Sequence, residues 1–183
     1  MTTRTDPIAA TVRVLAAMPQ VSLRADPADA ALLARIGEAL AAVPPTTPNT
    51  VTVAADGEAH VLWLGPDEWL VVAREGAPSE FAAEVAAALR EAAAGAFLTT
   101  VDVSANRVGI EIAGPDVLEL LAAGCALDLE RALPVGACAQ TLLARATIVL
   151  WHVADDPEPR YRVLVRPSFV RYLVAWLRDA LEA

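Results

Sequence analysis

Apolar residues along this chain of 183 residues follow two periodicities, and together these predict a mixed fold of strands and helices. Short runs rich in β-branched and aromatic residues, bounded by turn-forming residues, predict the strands. These runs are 21–24, 50–54, 59–64, 69–74, 97–103, 107–112, 139–143, 147–153 and 161–166. The polar segments 44–49 and 155–159 are predicted to be loops because they concentrate Pro, Asn, Asp and Thr.

Residue patterns typical of helices, namely capping residues and apolar stripes, lie between or after the predicted strands. The sequence Asp26-Pro27-Ala28-Asp29 offers an N-cap, a first-position proline and an early carboxylate, so a helix is predicted to begin at Asp26. The apolar stripe of this helix consists of Leu33, Ile36, Leu40 and Val43. A second helix is predicted to open at Pro115. Stripes in both halves predict a closing helix in each, namely Phe81, Val85 and Leu89, then Val170, Leu173, Val174 and Leu177.

Several landmarks of the chain recur at an offset of 88 residues. Val61-Leu62-Trp63 returns as Val149-Leu150-Trp151, and the same offset relates Pro27 to Pro115 and Phe81 to Phe169. This recurrence predicts an α+β fold in which two pseudo-repeated βαββ(β)α units pack as one body. We therefore divide the chain into an N-terminal extension, 1–20, and a single domain, 21–183. The two halves of that domain are about 21–105 and 106–183.

A turn flanked by two tryptophans is the most distinctive motif of the chain. Gly65-Pro66-Asp67-Glu68 joins two apolar runs, and Trp63 and Trp69 stand on either side of it. Proline presets the first turn position, and Gly and Asp accept conformations that other residues resist. We interpret the segment Trp63, Gly65, Pro66, Asp67, Glu68 and Trp69 as a hairpin that builds the fold and contacts a partner.

Composition narrows the classes of function. The formal net charge is −9, and all 14 basic residues are arginine, so neither nucleic acid nor an anionic membrane is predicted as a partner. The absence of lysine excludes a Schiff-base lysine and a P-loop, and no Gly-x-Gly announces a dinucleotide site. The hydrophobic fraction of 56% predicts an apolar surface patch of the kind that meets other proteins.

Candidate chemical groups are few. His60, His152, Cys125 and Cys138 lack the spacing of a zinc site, and the cysteines are predicted to be free buried thiols of a cytoplasmic protein. The polar N-terminus has no signal-peptide core, which agrees with that location. Asp102 and Arg107 flank a polar cluster between two strands. They are candidates for binding an anion, although a turn with a pairing arginine is the better explanation. No catalytic or metal-binding residue is predicted.

Several stretches of the chain resemble, in order, the gamma subunit family of heterotetrameric sarcosine oxidase. They are Leu62 to Leu70, Val101-Asp102-Val103-Ser104 leading to Ala113-Gly114-Pro115, Gly124-Cys125-Ala126-Leu127-Asp128-Leu129, Leu133-Pro134-Val135-Gly136 with Ala139-Gln140-Thr141, and Arg166-Pro167-Ser168-Phe169. The resemblance runs from about Val21 to the end of the chain. It implies a fold similar to the folate-binding domain of glycine-cleavage T-protein, in agreement with the repeat.

The resemblance also implies a role in a complex. In that family the alpha, beta and delta subunits are the partners, and they carry FAD, FMN, NAD, tetrahydrofolate and zinc. The complex demethylates sarcosine oxidatively to glycine, with tetrahydrofolate as the one-carbon acceptor. The gamma subunit is accessory, so this chain is expected to bind no cofactor and to have no catalytic activity of its own.

Two other functions stay open at this point. The first is a free-standing tetrahydrofolate-binding protein or an aminomethyltransferase-like one-carbon protein, with Asp102 and Arg107 lining a cavity between the halves. The catalytic aspartate of T-protein has no identifiable counterpart in this sequence, which counts against that alternative. The second is a structural relative that serves another amine-oxidising flavoenzyme.

Overall fold

The structure, a computed structural model, describes residues 8–182, which form both strands and helices. Within that range the strands are β1 Thr11–Val14, β2 Gln20–Ala25, β3 Val51–Val53, β4 Ala59–Gly65, β5 Glu68–Ala73, β6 Leu98–Asp102, β7 Val108–Ala113, β8 Cys138–Leu143, β9 Ala146–Ala154 and β10 Arg160–Val165. The α-helices are α1 Ala30–Leu40, α2 Phe81–Ala93, α3 Val117–Ala122, α4 Leu129–Ala132 and α5 Pro167–Leu181. A short 3-10 helix covers Ser104–Asn106.

The chain divides into two compact units. The first unit is Ala16–Asn106, and the second joins the segment that ends at Leu15 to the chain from Arg107 onward. Each unit contains one antiparallel sheet of five strands. The strand orders are β3-β4-β5-β2-β6 in the first unit and β1-β7-β10-β9-β8 in the second. Two sheets with repeated strand and helix order confirm the predicted α+β class.

The sheet of the second unit is completed by a strand from the start of the chain. β1 precedes the first repeat, yet it pairs with β7 of the second unit, with Val12 opposite Ile112. The sheet of the first unit is completed by β6, which follows α2 within that unit and pairs with β2, with Leu23 opposite Thr100. β1 lies within the segment that the sequence assigned to an extension. The sequence did not indicate this strand, because it is only four residues long and its apolar residue Val14 is exposed.

The core of the first unit lies between one face of its sheet and helices α1 and α2. Fully buried residues of this face include Val21, Leu23, Val61, Trp69 and Val71, and Ile36 and Leu89 meet them from the helices. At about 25 cal/mol per Å² of apolar surface, this burial supplies the main stabilisation of the unit. The predicted stripe of Phe81, Val85 and Leu89 is confirmed on α2.

The start of α1 differs from its prediction. The N-cap is Asp29, whose carboxylate accepts a hydrogen bond from the backbone N–H of Leu32 at 2.9 Å. Asp26 instead accepts from the backbone N–H of Ala28, and it therefore holds a turn before the helix. Both aspartates were plausible caps by residue type, and local turn geometry decided between them. The helix ends at Leu40, so Val43 lies beyond it and is 55% exposed.

The core of the second unit is built in the same way. Ile110, Ile112, Leu150 and Val163 of the sheet face a helical layer in which Leu120, Leu173 and Leu177 are fully buried. The predicted stripe of α5 is confirmed, because Val170 and Val174 also pack against this core.

The repeated Val-Leu-Trp motif does not occupy equivalent positions in the two sheets. Val61 and Trp63 pack toward the helices of the first unit. In β9 it is Leu150 that joins the helix-facing core, so its neighbour Trp151 points to the opposite face. A difference of one residue in register exchanges the two faces of a strand. The two units share a similar order of strands and helices. The Val-Leu-Trp motifs that match at an offset of 88 residues, however, have side chains that point to opposite faces of their sheets.

Candidate functional site

The tryptophan-flanked turn forms the predicted hairpin between β4 and β5. Trp63 lies directly opposite Trp69, and Gly65 lies opposite Glu68, with a bulge between Trp63 and Gly65. Trp69 is fully buried in the core, and its indole Nε1–H donates a hydrogen bond of 2.7 Å to the carbonyl oxygen of Pro45. A ring without exposed surface acts here by packing, and its polar edge is satisfied as buried indoles require.

The tip of the hairpin is polar and lies at the surface. Pro66 and Asp67 are exposed, and Arg24 contacts both carboxylates of the turn. Its guanidinium lies 2.7 Å from Glu68 and 3.4 Å from Asp67. Exposed pairs of this kind stabilise a fold by about 0–1 kcal/mol. The role of these exposed residues at an interface stays a prediction.

Asp102 caps a turn at the end of β6. Its Oδ1 accepts hydrogen bonds from the hydroxyl of Ser104 at 2.6 Å and from the backbone N–H of Ser104 at 2.9 Å. These bonds hold the pKa of the Asp102 carboxyl below its ordinary value. Arg107 belongs to the other unit and immediately precedes β7. Binding of folate or another anion by the two residues stays a prediction.

His152 and the two cysteines are buried. His152 stacks on Tyr161 with ring centroids 4.1 Å apart, and its ring nitrogens lie 2.9 Å from the carbonyl oxygen of Leu133 and 2.8 Å from Asp155. Burial, followed by the charges of Asp155 and Glu130, raises the pKa of Tyr161 to about 12. Cys125 and Cys138 are buried and not joined in a disulfide, as predicted.

A polar row crosses the sheet of the second unit on the face opposite its helices. The register places five residues side by side, one on each strand: Arg13, Glu111, Arg162, Trp151 and Cys138. Glu111 accepts hydrogen bonds from Arg13 at 2.8 Å and from Arg162 at 3.2 Å. The guanidinium of Arg162 also lies over the ring of Trp151, 5.3 Å from its centroid, in a cation–π contact.

Glu111 is the electrostatic centre of this row. Burial raises the pKa of its carboxyl, but the hydrogen bonds and charges of Arg13 and Arg162 outweigh burial, so the pKa lies below its ordinary value. The side chains of Glu111 and Arg162 are each 13% exposed, so solvent screens their interaction only partly.

Sequence reasoning missed this row because its members are far apart in the chain. Arg13 and Glu111 are separated by 98 residues, and Glu111 and Arg162 by 51. The only local signal was a charged residue in the middle of an apolar strand, at Glu111 and again at Arg162. In a sheet with one solvated face that pattern is ordinary.

Residues 8–182 contain neither a candidate metal cluster nor a membrane-spanning helix. These residues contain no group of three or more His, Cys, Asp or Glu side chains that could hold a metal ion. No described helix is long and apolar enough to cross a membrane.

Comparisons with known proteins agree with the resemblance. The model of the sarcosine oxidase gamma subunit family matches residues 24–183. Sarcosine oxidase subunit gamma of Corynebacterium sp. (strain P-1) is 37% identical over 172 residues, which cover 93% of this chain and 79% of that protein. A chain of the heterotetrameric sarcosine oxidase from Corynebacterium sp. U-96, solved with pyrrole 2-carboxylate, superposes with a TM-score of 0.81 at 31% identity. That match covers 97% of this chain and 86% of that one.

A more distant structure shares the fold. Glycine cleavage system aminomethyltransferase T from Bartonella henselae superposes with a TM-score of 0.66 at 13% identity. The match covers 93% of this chain and 46% of that one. At this identity the likeness concerns the fold alone, and it confirms the predicted similarity to T-protein.

Replacement of Trp69 by alanine should destabilise the first unit by about 3–5 kcal/mol, because it removes a fully buried aromatic ring. Trp69→Phe should lose less, about 1–3 kcal/mol, since a smaller aromatic ring still fills most of the site, whereas part of the ring volume and the hydrogen bond to Pro45 are lost. Trp63→Ala should destabilise the protein less than Trp69→Ala does, because Trp63 is only partly buried. Urea denaturation measures all three, and a Trp69→Ala protein as stable as the wild type would contradict this assignment.

Replacement of Glu111 by glutamine should lower stability at neutral pH by about 1–3 kcal/mol, the usual cost of losing charge-assisted hydrogen bonds. Because folding lowers the pKa of Glu111, its contribution is complete above the ordinary pKa of 4.5 and disappears as the pH falls through the folded value. Urea denaturation at pH 7 and at pH 3.5 should therefore show a smaller acid loss in Glu111→Gln than in the wild type. Glu84→Gln, on an exposed face of α2, is the control. Equal acid losses in all three proteins would refute the role of Glu111.

Proposed function

Because the chain belongs to the sarcosine oxidase gamma subunit family, we propose that it is the accessory, non-catalytic gamma subunit of a heterotetrameric sarcosine oxidase. The observation that carries the proposal is the match to a chain of such an enzyme, with a TM-score of 0.81 over 97% of this chain. Identity of 31% across that span supports a shared role as well as a shared fold.

The proposed partners are the alpha, beta and delta subunits of the same enzyme. In the assembled complex the N-methyl group of sarcosine is proposed to be oxidised with dioxygen as the electron acceptor, which is reduced to hydrogen peroxide. Tetrahydrofolate accepts the one-carbon unit, and glycine leaves. The cofactors of this chemistry, FAD, FMN, NAD, tetrahydrofolate and zinc, are proposed to reside on the partner subunits.

The contacts of the polar residues support an accessory role. The carboxylate of Asp102 holds Ser104, the carboxylate of Glu111 holds two arginines, and the ring of His152 lies between Leu133 and Asp155. A general acid, a general base or an anion-binding group uses its hydrogen-bonding atoms to contact a substrate. In each of these three groups such atoms contact the protein and stabilise the local fold. This pattern favours a subunit that acts by assembly.

Co-expression with the alpha, beta and delta subunits of its own genome should yield a complex that retains this chain through affinity purification and gel filtration. The complex should oxidise sarcosine, and the isolated chain should not. If the four chains are well expressed and this chain elutes alone, the proposed assembly is wrong.

The alternative of a free-standing folate protein is tested on the isolated chain. Calorimetric titration with tetrahydrofolate should give no heat of binding, and the melting temperature should not shift with the ligand present, since ligands that bind only the folded state raise it. Saturable binding that Asp102→Asn and Arg107→Gln both abolish would establish the alternative.

A further inference from the structure

The second unit has a shallow surface groove made of two adjoining depressions, lined largely by small and aromatic residues. Their volumes are about 490 and 500 Å³, and Gly124, Ala126 and Ala144 line both of them. Tyr172 and Trp176 of α5 form one wall, and Leu142 of the edge strand β8 stands on the other side. We call this surface the aromatic groove.

The floor of the aromatic groove depends on a close approach between backbone and ring. The Cβ of any larger residue at position 124 would lie 2.5 Å from the ring of Trp176, so Gly124 allows that ring to lie against the main chain. The carbonyl oxygen of Gly124 accepts a hydrogen bond from the N–H of Ala144 at 2.9 Å. The floor of the groove is therefore formed by main chain and carries few side-chain rotamers that a partner would have to order.

Exposed aromatic rings extend along one face of α5. Phe169, Tyr172 and Trp176 are spaced by three and four residues, so they share a face of the helix. Phe169 and Tyr172 are each 38% exposed and meet edge to face at 6.4 Å, while Leu142 across the groove is 54% exposed. Trp and Tyr in such a setting are the side chains that contribute most to protein interfaces.

One positive charge lies beside this apolar surface. Arg145 is exposed and lines the depression that contains Tyr172 and Trp176. No carboxylate within residues 8–182 forms an ion pair with it. In a chain of net charge −9, this guanidinium offers a site for a carboxylate from another molecule.

We propose that the aromatic groove receives a segment of a large partner subunit, with an apolar side chain against Tyr172 and Trp176 and a carboxylate against Arg145. This inference rests on the proposed function. Charge complementarity selects the occupant, because an acidic group on the segment would pair with Arg145. The rest of the segment is expected to be apolar, since it lies against the rings of Tyr172 and Trp176. A second copy of this chain is disfavoured, since two chains of net charge −9 repel each other.

The experiment uses the full chain and the co-expressed alpha and beta subunits as the binding probe, with affinity measured by biolayer interferometry. Tyr172→Ala and Arg145→Glu should each weaken binding at least about tenfold, as truncation of an interface anchor does. Arg145→Lys should weaken it less, because it keeps the charge and loses the bidentate geometry. Binding by the wild type should weaken with salt, and that dependence should be smaller in Arg145→Glu.

Matched controls lie on the other unit. Phe97→Ala removes an aromatic ring that is 75% exposed, and Arg90→Glu reverses an exposed charge on α2. Both controls should bind like the wild type, and the melting temperature of every variant should stay near that of the wild type. A groove variant with a lowered melting temperature is replaced by Tyr172→Gln, which removes the ring but keeps an aliphatic stem on a helix-forming residue, or by Arg145→Gln.

The outcomes separate the two proposals. Wild-type chain that fails to bind the large subunits overturns the proposed function. If the wild type binds and folded groove variants bind equally well, the aromatic groove is not the docking surface, although the proposed function stands. A wild-type dimer in light scattering that Tyr172→Ala dissolves would identify a second copy as the occupant and overturn the proposal.

Discussion

Completion of each sheet by a fifth strand is the constraint on which the rest of the structure depends. β1 completes the sheet of the second unit by pairing with β7, and β6 completes the sheet of the first by pairing with β2. Without these pairings, β2 and β7 would become edge strands although both carry fully buried core residues. Edge strands with unpaired backbone groups invite misassembly. The first unit is thus completed by the strand that follows α2, whereas the second needs a strand from the start of the chain.

The same pairing creates the polar row of the second unit. Arg13 reaches Glu111 only because β1 lies beside β7, and Glu111 reaches Arg162 because β10 lies on the other side. A partly buried carboxylate would be costly if it stood alone, and two guanidinium groups offset that cost. The polar residues inside the fold therefore serve the fold. The chemistry left for other molecules lies at the surface, where aromatic rings of α5 and Arg145 border a groove.

Much of the architecture was predictable because it rests on local patterns. Alternation of apolar residues located strands β2 to β10 to within a few residues, and the stripes of α2 and α5 identified their buried faces. The hairpin at Gly65 to Glu68 followed from turn chemistry. The candidate site was less accessible to sequence. Nothing local distinguishes Trp69, which is fully buried, from Trp176, which lines an open groove.

The sequence by itself determined the fold class, the order of its elements except β1 and α4, the duplication and the family, since each follows from spacing and motifs along the chain. Tertiary structure decided the rest. It showed that β1 joins the sheet of the second unit, that the repeated Val-Leu-Trp motif faces opposite ways in the two units, and that Asp29 caps α1. It also joined Arg13, Glu111 and Arg162, and brought Gly124 against Trp176. These features depend on which strands pair and in what register. A shift of one residue in register exchanges the two faces of a strand and leaves the local composition unchanged, so the sequence does not reveal it.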